Sequence, residues 1–230
     1  MYPELLPILG KCRLFHQMDA GDIDGILRCL QPALSSFKQD ELIVRQGESM
    51  PGIGIVVIGE AAVYKETAAG QRVLLTLIEP GGMFGEMAAF VPSPVWPATV
   101  AAQDDSTVLF VDPQAIGRTC GSNCKWHTQL TQNMLRILSE KGMLLSQRVE
   151  YLSIKSMRTK LCTFLLSQAN DKNSRYVELS MNRTKLAEFL NVSRPSMSRE
   201  LARLRDEGVL DYHLSTIKIR DRDALRKYAQ

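Results

Sequence analysis

Between Lys125 and Leu152 nothing in the sequence breaks a helix. The stretch has no proline, and its one glycine, Gly142, costs a helix interior about 1 kcal/mol relative to alanine. Leu130, Met134, Ile137, Leu138, Leu144, Leu145 and Leu152 recur at three-, four- and seven-residue steps, so a helix places them on one stripe. Leu138, Leu145 and Leu152 stand a heptad apart, as do Leu130, Ile137 and Leu144, a pattern suited to a helix packing along its own symmetry mate. At about 1.5 Å per residue the helix would reach roughly 40 Å, more than one small domain covers. An amphipathic helix lying on its own domain's core would show a similar stripe. Strand-rich sequence before it and helix-rich, basic sequence after it favour the dimer reading.

The charge is divided in the same place. Residues 1–152 carry 12 Lys/Arg against 16 Asp/Glu, a net of −4, while residues 153–230 carry 16 against 9, a net of +7. Halves of opposite sign point to a polyanion partner for the second half alone. The five cysteines (Cys12, Cys29, Cys120, Cys124, Cys162) are odd in number and show no paired spacing, which speaks against a disulfide framework and for a reducing cytoplasm. Apolar runs such as Ile53 to Gly59 are too short to span a membrane. The opening Met-Tyr-Pro-Glu-Leu-Leu has no basic region ahead of an apolar one, so no secretion signal is expected.

Residues 1–36 read as short helices, with Ile23, Ile26, Leu27 and Leu30 at helical spacing and Pro32 as the stop. From Ser36 to Asp112 the period changes. Leu42 to Val44, Ile55 to Ile58, Ala61 to Tyr64, Val73 to Ile78, Thr99 to Ala102 and Val108 to Val111 are short β-prone runs, separated by Gly-, Pro- or Asp-bearing turns. Many short strands with no long helix between them indicate an antiparallel jelly roll or barrel rather than a parallel α/β sheet. Gly52-Ile53-Gly54 lacks the third glycine and the following helix of a dinucleotide fingerprint and reads as a turn. Gly81-Gly82-Met83-Phe84-Gly85-Glu86-Met87 reads either as a tight corner or as a turn presenting backbone N–H groups to a ligand at the barrel mouth.

After the long helix, Ser156 to Gln168 forms another amphipathic helix, then a polar turn and a short strand at Tyr176 to Leu179. The stretch from Thr184 to Leu201 has the spacing of a helix-turn-helix. Ala187 is small where two helices cross, and Asn191 tolerates the left-handed conformation that the turn needs. Ser193 is placed to cap the second helix, and Pro195 in its first turn loses no hydrogen bond. Leu186, Leu190, Val192, Met197, Leu201 and Leu204 form the inner face. Arg194, Ser196, Ser198, Arg199 and Arg203 form the outer face, joined by Thr184, Lys185 and Ser193 as expected DNA contacts. Arginines suit phosphate oxygens and the paired acceptors of guanine in the major groove. Two final runs, Gly208 to Tyr212 and Thr216 to Arg220, form a wing beside the helix pair.

In this order, the marks resemble the Crp/Fnr family of transcription regulators. They are Gly47, Gly59-Glu60, the run Pro80 to Glu86, Asp105 to Val108, the long helix and the winged helix-turn-helix. The resemblance implies an α+β chain with a β-roll sensor (1–124), a dimerisation helix (125–152) and a winged helix-turn-helix domain (153–230). It implies a homodimer on a palindromic operator, an effector that changes how the recognition helices are presented, RNA polymerase as a further partner, and no catalytic activity. Arg194 and Arg199 match the family's base- and phosphate-contacting arginines. Ser198 matches a serine with which oxygen-sensing members read their operator. Pro195 stands where the family usually has a glutamate, so the usual half-site sequence is not implied.

The resemblance assigns the effector site to Gly85, Glu86, Met87, Trp96 and Thr99 of the roll, with Leu130 and Met134 of the helix. Glu86 matches the glutamate that holds the ribose of a cyclic nucleotide. The Arg-Ser pair for its cyclic phosphate falls at about Trp96-Pro97, which removes a charge-assisted bidentate contact and argues against cyclic AMP. Cys12 and Cys29 are too far apart to match the N-terminal ligands of an iron–sulfur cluster. His16, His127 and Cys120 are candidate haem ligands, and Cys120 with Cys124 a candidate thiol switch. The expected signal is therefore a small molecule, a haem-borne gas or a redox change, with a cyclic-nucleotide-dependent regulator as the alternative. A cupin-like metalloenzyme would need His and carboxylate ligands in H-x-H spacing, and His16, His127 and His213 are isolated.

Overall fold

A computed structural model of the protein describes residues 3–50, 52–66, 72–117, 125–170, 175–179 and 181–230. The chain divides into two compact units, Met1–Glu140 and Lys141–Gln230, with the boundary inside the long helix.

The first unit opens with 3-10 turns at Pro3–Leu5 and Arg13–Phe15, either side of the one-turn helix α1 (Leu6–Leu9), followed by α2 (Ala20–Leu30). Asp19 caps α2 by accepting the N–H of Asp22 at 2.8 Å, and Gln31, at φ +45°, closes it. Eight strands follow: β1 (Ala33–Phe37), β2 (Leu42–Val44), β3 (Ile53–Ile58), β4 (Ala61–Glu66), β5 (Arg72–Ile78), β6 (Met83–Phe84), β7 (Thr99–Ala102) and β8 (Ser106–Val111). They form two antiparallel sheets, ordered β1-β8-β3-β6 and β2-β7-β4-β5, the jelly roll that the strand spacing indicates. The short helix α3 (Pro113–Gly117) and the long helix α4 (Lys125–Ser153) complete the run.

Three local readings change. Ala33 to Ser36, expected within the helical region, belongs to β1, because Ala33–Phe37 pairs residue for residue with Phe110–Ser106 of β8. Gly54, expected in a turn, lies inside β3, where the Phe84 ring packs over it and a Cβ would collide with that ring. Met83 and Phe84, within the expected glycine-rich turn, form β6 against β3. In each case the pairing partner is remote in sequence, and local pattern does not carry it.

In the second unit α5 (Met157–Asn170) leads to β9 (Tyr176–Glu178), α6 (Arg183–Phe189), α7 (Arg194–Asp206), β10 (Leu210–His213), β11 (Thr216–Ile219) and α8 (Arg222–Tyr228). The three strands form one antiparallel sheet ordered β10-β11-β9. Helix α8 adds to the sequence reading. Asp221 caps it by accepting the N–H groups of Asp223 and Ala224, and Leu225 anchors it in the core. Leu161, Leu165, Leu186, Leu190, Met197, Leu204 and Ile217 are all fully buried in this unit's core. Tyr151, Phe164 and Phe189 form an aromatic triangle with centroids 5.5–6.0 Å apart. No described helix is long and apolar enough to cross a membrane.

Candidate nucleic-acid interface and effector site

Helix α6 begins at the Asn182 cap, whose side chain accepts the N–H of Lys185 at 2.9 Å. It ends at Leu190, and Asn191 takes φ +52°, the left-handed turn residue that the spacing requires. Ala187 is buried at the crossing, its carbonyl accepting the N–H of Val192 at 2.9 Å. Ser193 then caps α7, accepting the N–H of Ser196 at 3.3 Å, with Pro195 in the first turn. Met197, Leu201 and Leu204 face inward. Arg194, Ser198, Arg199 and Arg203 are exposed, as are Thr184, Lys185 and Ser193, while Ser196 is half-buried. The eight expected contacts therefore lie at the surface of one helix pair.

The outer face has internal order. The Ser193 hydroxyl donates to Ser196 Oγ at 2.8 Å, and the Arg199 guanidinium donates to the same oxygen at 3.3 Å. Three residues one helical turn apart thus form a chain ending at the guanidinium. Arg203 is instead drawn to Glu200, at 3.3 Å. Glu200 is buried on α7 and meets Arg158 of α5 at 2.6 Å. The same guanidinium grips Glu207 with two further bonds, 2.9 and 2.7 Å, and lies 4.8 Å over the Tyr228 ring. Glu207 foremost, and Glu200 after it, push the Arg158 pKa further above its ordinary value, and Arg158 in turn holds Glu207 below the usual carboxylate range. On the wing side, Arg183 and Arg205 both stack on Tyr212, at 5.1 and 5.4 Å. Sequence spacing did not single out Arg158, Glu200 or Glu207, because 42 and 49 residues separate the partners.

In the roll, Gly81 and Gly85 take φ +89° and +87°, conformations open to glycine, and Glu86 follows almost fully buried. A Cβ on Gly85 would come within 2.6 Å of the Trp96 indole. Trp96 is 2% exposed and packs 5.7 Å from the Phe84 ring. Thus Gly85, Glu86 and Trp96 gather at one place, and an apolar ring fills the position at which the resemblance places the phosphate-gripping pair. The other assigned effector residues separate. Met87 is 48% exposed, and the buried Thr99 hydroxyl already accepts the N–H of Gln46 at 3.1 Å. Leu130 and Met134 are buried in the roll's own core. Burial, with a smaller contribution from the Glu86 charge, pushes the Cys12 thiol up to about 11.

His127 is buried, and neither of its ring nitrogens has a hydrogen-bond partner among the described residues. His16 and His213 are exposed. Cys120 and Cys124 lie outside the described residues. Trp126 packs on Gly25 and donates to Asp22 at 2.6 Å, which anchors the start of α4. No group of three His, Cys, Asp or Glu side chains converges on a metal position among the described residues.

The stripe on α4 divides in two. Leu130, expected on a dimer face, is buried in the roll's core, and Ile137 is buried as well, so this first part of their heptad faces inward. Leu144, Leu145 and Leu152 are exposed, and Leu138 is half-buried. Leu135, Met143 and Val149, which the sequence reading did not single out, are exposed as well, at 59, 64 and 65%.

Residues 34–123 match the family model of the cyclic nucleotide-binding domain, and residues 159–228 that of the Crp-like helix-turn-helix domain. A CRP-like cAMP-activated global transcriptional regulator of Mycobacterium tuberculosis is 20% identical, the match covering 97% of this chain and 99% of the relative. A cyclic AMP receptor protein of Thermus thermophilus is 23% identical over 94% of this chain and 96% of its own. The crystal structure of the Thermus thermophilus catabolite activator protein superposes with a TM-score of 0.54 at 22% identity, covering 94% of this chain and 98% of that one. Fold and site together define a DNA-binding transcription regulator with a cyclic-nucleotide-binding-type roll. Within that class, the chain belongs to the Crp/Fnr family.

Proposed function

We propose that the protein acts as a homodimer on a two-fold-symmetric operator and answers to an effector other than cyclic AMP. The exposed face of α7 carries the DNA part of this reading. Arg194, Ser198 and Arg199 project from one side of a capped helix whose other side is fixed in the core. The exposed residues of α4, together with the half-buried Leu138, support the dimer. Leu135, Gly142 and Val149 form one heptad series, Leu138, Leu145 and Leu152 another, and together they make the a and d seam of a two-stranded coil. The effector biases the arrangement of roll, helix and the non-helical joint at 154–156, and so the spacing of the two recognition helices. RNA polymerase is the proposed partner of the DNA-bound dimer, in the cytoplasm.

Against cyclic AMP stands the Trp96 indole, which puts an uncharged, buried ring where a phosphodiester needs a cation. In favour of it stand the names of the relatives and the buried Glu86 on its glycine turn. Calorimetry with cyclic AMP decides between them, and binding in the micromolar range would overturn the reading. His127, with both nitrogens buried, keeps a haem signal among the effectors to test. The absorption spectrum of anaerobically purified protein, before and after haem addition, reads it directly. A Soret band at one haem per subunit assigns a gas or redox sensor, and a colourless, iron-free protein assigns a small organic ligand or a thiol signal.

The DNA assignment is tested with Arg199→Ala. Each bidentate arginine–base pair contributes about 1–3 kcal/mol of discrimination, so operator affinity falls roughly 5- to 150-fold while circular dichroism is unchanged. Unchanged affinity for the cognate operator would remove Arg199 from the interface.

A further inference from the structure

The first unit contains a cleft whose lining includes none of the residues assigned to the effector site. The 3-10 turn Arg13–Phe15 crosses α4 and leaves a cleft of about 240 Å³ lined by Arg13, His16, Asn133, Arg136, Ile137 and Glu140. Its floor is rigid. Asn133 is buried and donates from one amide nitrogen to the carbonyls of Leu14 (2.9 Å) and His16 (2.8 Å), while Gln129 donates to the Asn133 oxygen at 3.1 Å. Leu14 and Phe15 anchor the turn in the core, and Ile137 is buried beneath the cleft.

The rim is cationic. Arg13 forms an ion pair with Glu140 through Nη2, which leaves its other N–H donors available. Arg136 and the His16 ring make no hydrogen bond or ion pair among the described residues, although both line the cleft. With Arg13 and Glu140 offsetting one another, a planar guanidinium fork and an imidazole remain facing a pre-formed hollow. That is the donor set which recognises an oxyanion through two oxygens at once. The cleft is smaller than the roughly 300 Å³ at which drug-sized pockets begin, so its ligand is small.

We propose that this cleft binds a small doubly charged oxyanion, inorganic phosphate or the phosphoryl group of a small metabolite. The anion is held by Arg136 and His16 with the free arm of Arg13, and Glu140 limits its affinity. On the seam proposed above, positions 136 and 140 face away from the partner helix. The titration below reads the cleft however the chains pair.

The test is a titration of the full chain with inorganic phosphate at constant ionic strength, balanced with chloride and followed by NMR at the Asn133 side-chain amide and the His16 ring. Reading these two groups separates the cleft from phosphate bound at the arginines of α7. Saturable shifts with a midpoint on the order of 1 mM are expected, the range open to a few charge-assisted bonds near solvent. Arg136→Gln should weaken the midpoint at least tenfold, and Glu140→Gln, which removes the competing carboxylate, should tighten it several-fold. A parallel titration with glycerol phosphate distinguishes the sources. Tighter binding of the ester assigns a phosphorylated metabolite, and equal or weaker binding assigns inorganic phosphate. A linear response that chloride reproduces, or a midpoint unmoved by Arg136→Gln in a folded protein, overturns the proposal.

Discussion

Arg199 does not extend from its helix unsupported. Its guanidinium is tethered to Ser196 Oγ, and Ser196 is itself fixed by Ser193, the residue that caps α7. The cap therefore has two consequences: it satisfies an N–H at the helix start and it sets the origin of a side-chain chain that ends at the arginine proposed to read a base. Ser196→Ala removes the middle link without touching the cap or the charge. An exposed hydrogen bond from the guanidinium at 3.3 Å contributes about 0.5–1.5 kcal/mol, so operator affinity falls roughly two- to tenfold, and Ser196→Thr, which keeps the hydroxyl, restores most of it. The loss should appear as relaxed preference at the base that Arg199 reads, measured on a panel of half-site variants, with the salt dependence of binding unchanged. A uniform loss across all sequences would mean that Ser196 contacts phosphate itself and does not orient Arg199. Ser193 and Asn191 were legible in the sequence because caps and left-handed turns select residue types locally. The tether was not, since nothing in the spacing says that an arginine bends back to a serine three positions earlier.

At the scale of elements, the recognition helix is locked to the winged unit by the Arg158 cluster. One guanidinium binds Glu200 in the middle of α7 and Glu207 just past its end, and rests on Tyr228 of α8. Arg158→Ala leaves the buried Glu200 carboxylate with Arg203 alone, at 3.3 Å. Removing one partner of a buried pair costs more than the pair is worth, here about 1–3 kcal/mol because the Arg158 side chain is partly solvated. Thermal or denaturant unfolding checks it, and a variant as stable as the parent would show the cluster to be incidental. The pH dependence has a definite sign. Arg158 lowers the folded-state pKa of Glu207, so this contribution is fully present above the ordinary glutamate value of 4.5 and is lost as acid protonates Glu207 below it. The parent should lose stability more steeply than Arg158→Ala as pH falls through that range. The elements that periodicity announces were legible: α4, α5, the α6–α7 pair and the wing strands. Strand β1 and the Gly54–Phe84 crossing depend on partners far along the chain, and α8, at seven residues, is too short for periodicity to announce. The effector residues divide for the same reason. Glu86 and Trp96 converge because a glycine turn and a buried indole meet, whereas Thr99 and Met134 are taken up by packing that the sequence does not display.

For the whole molecule, the opposite charges of the two halves and the apolar outer stripe of α4 make one argument. A helix of 29 residues is about 43 Å long and has an inner face on the roll, where Leu130, Met134 and Ile137 are buried. Its outer face keeps Leu135, Leu145, Val149 and Leu152 exposed, too many large apolar side chains in register for a face that meets only water. In the dimer proposed above, a second copy of the same helix would satisfy that face with two-fold symmetry, and that symmetry would pair the basic units with successive turns of DNA. Val149→Glu tests the chain of reasoning at its middle. Val149 is 65% exposed within the single chain, so the substitution leaves the fold and both cores intact. In the dimer it sets two carboxylates against each other in an apolar seam, a desolvation cost with no compensating partner. Sedimentation should show the mass halved at micromolar concentration. Operator affinity should fall by well over tenfold, because the two half-sites lose the effective concentration that linkage gives them, while binding to an isolated half-site stays as it was. A Val149→Glu protein that kept both its dimeric mass and its operator affinity would place the interface elsewhere and leave the outer stripe to another partner.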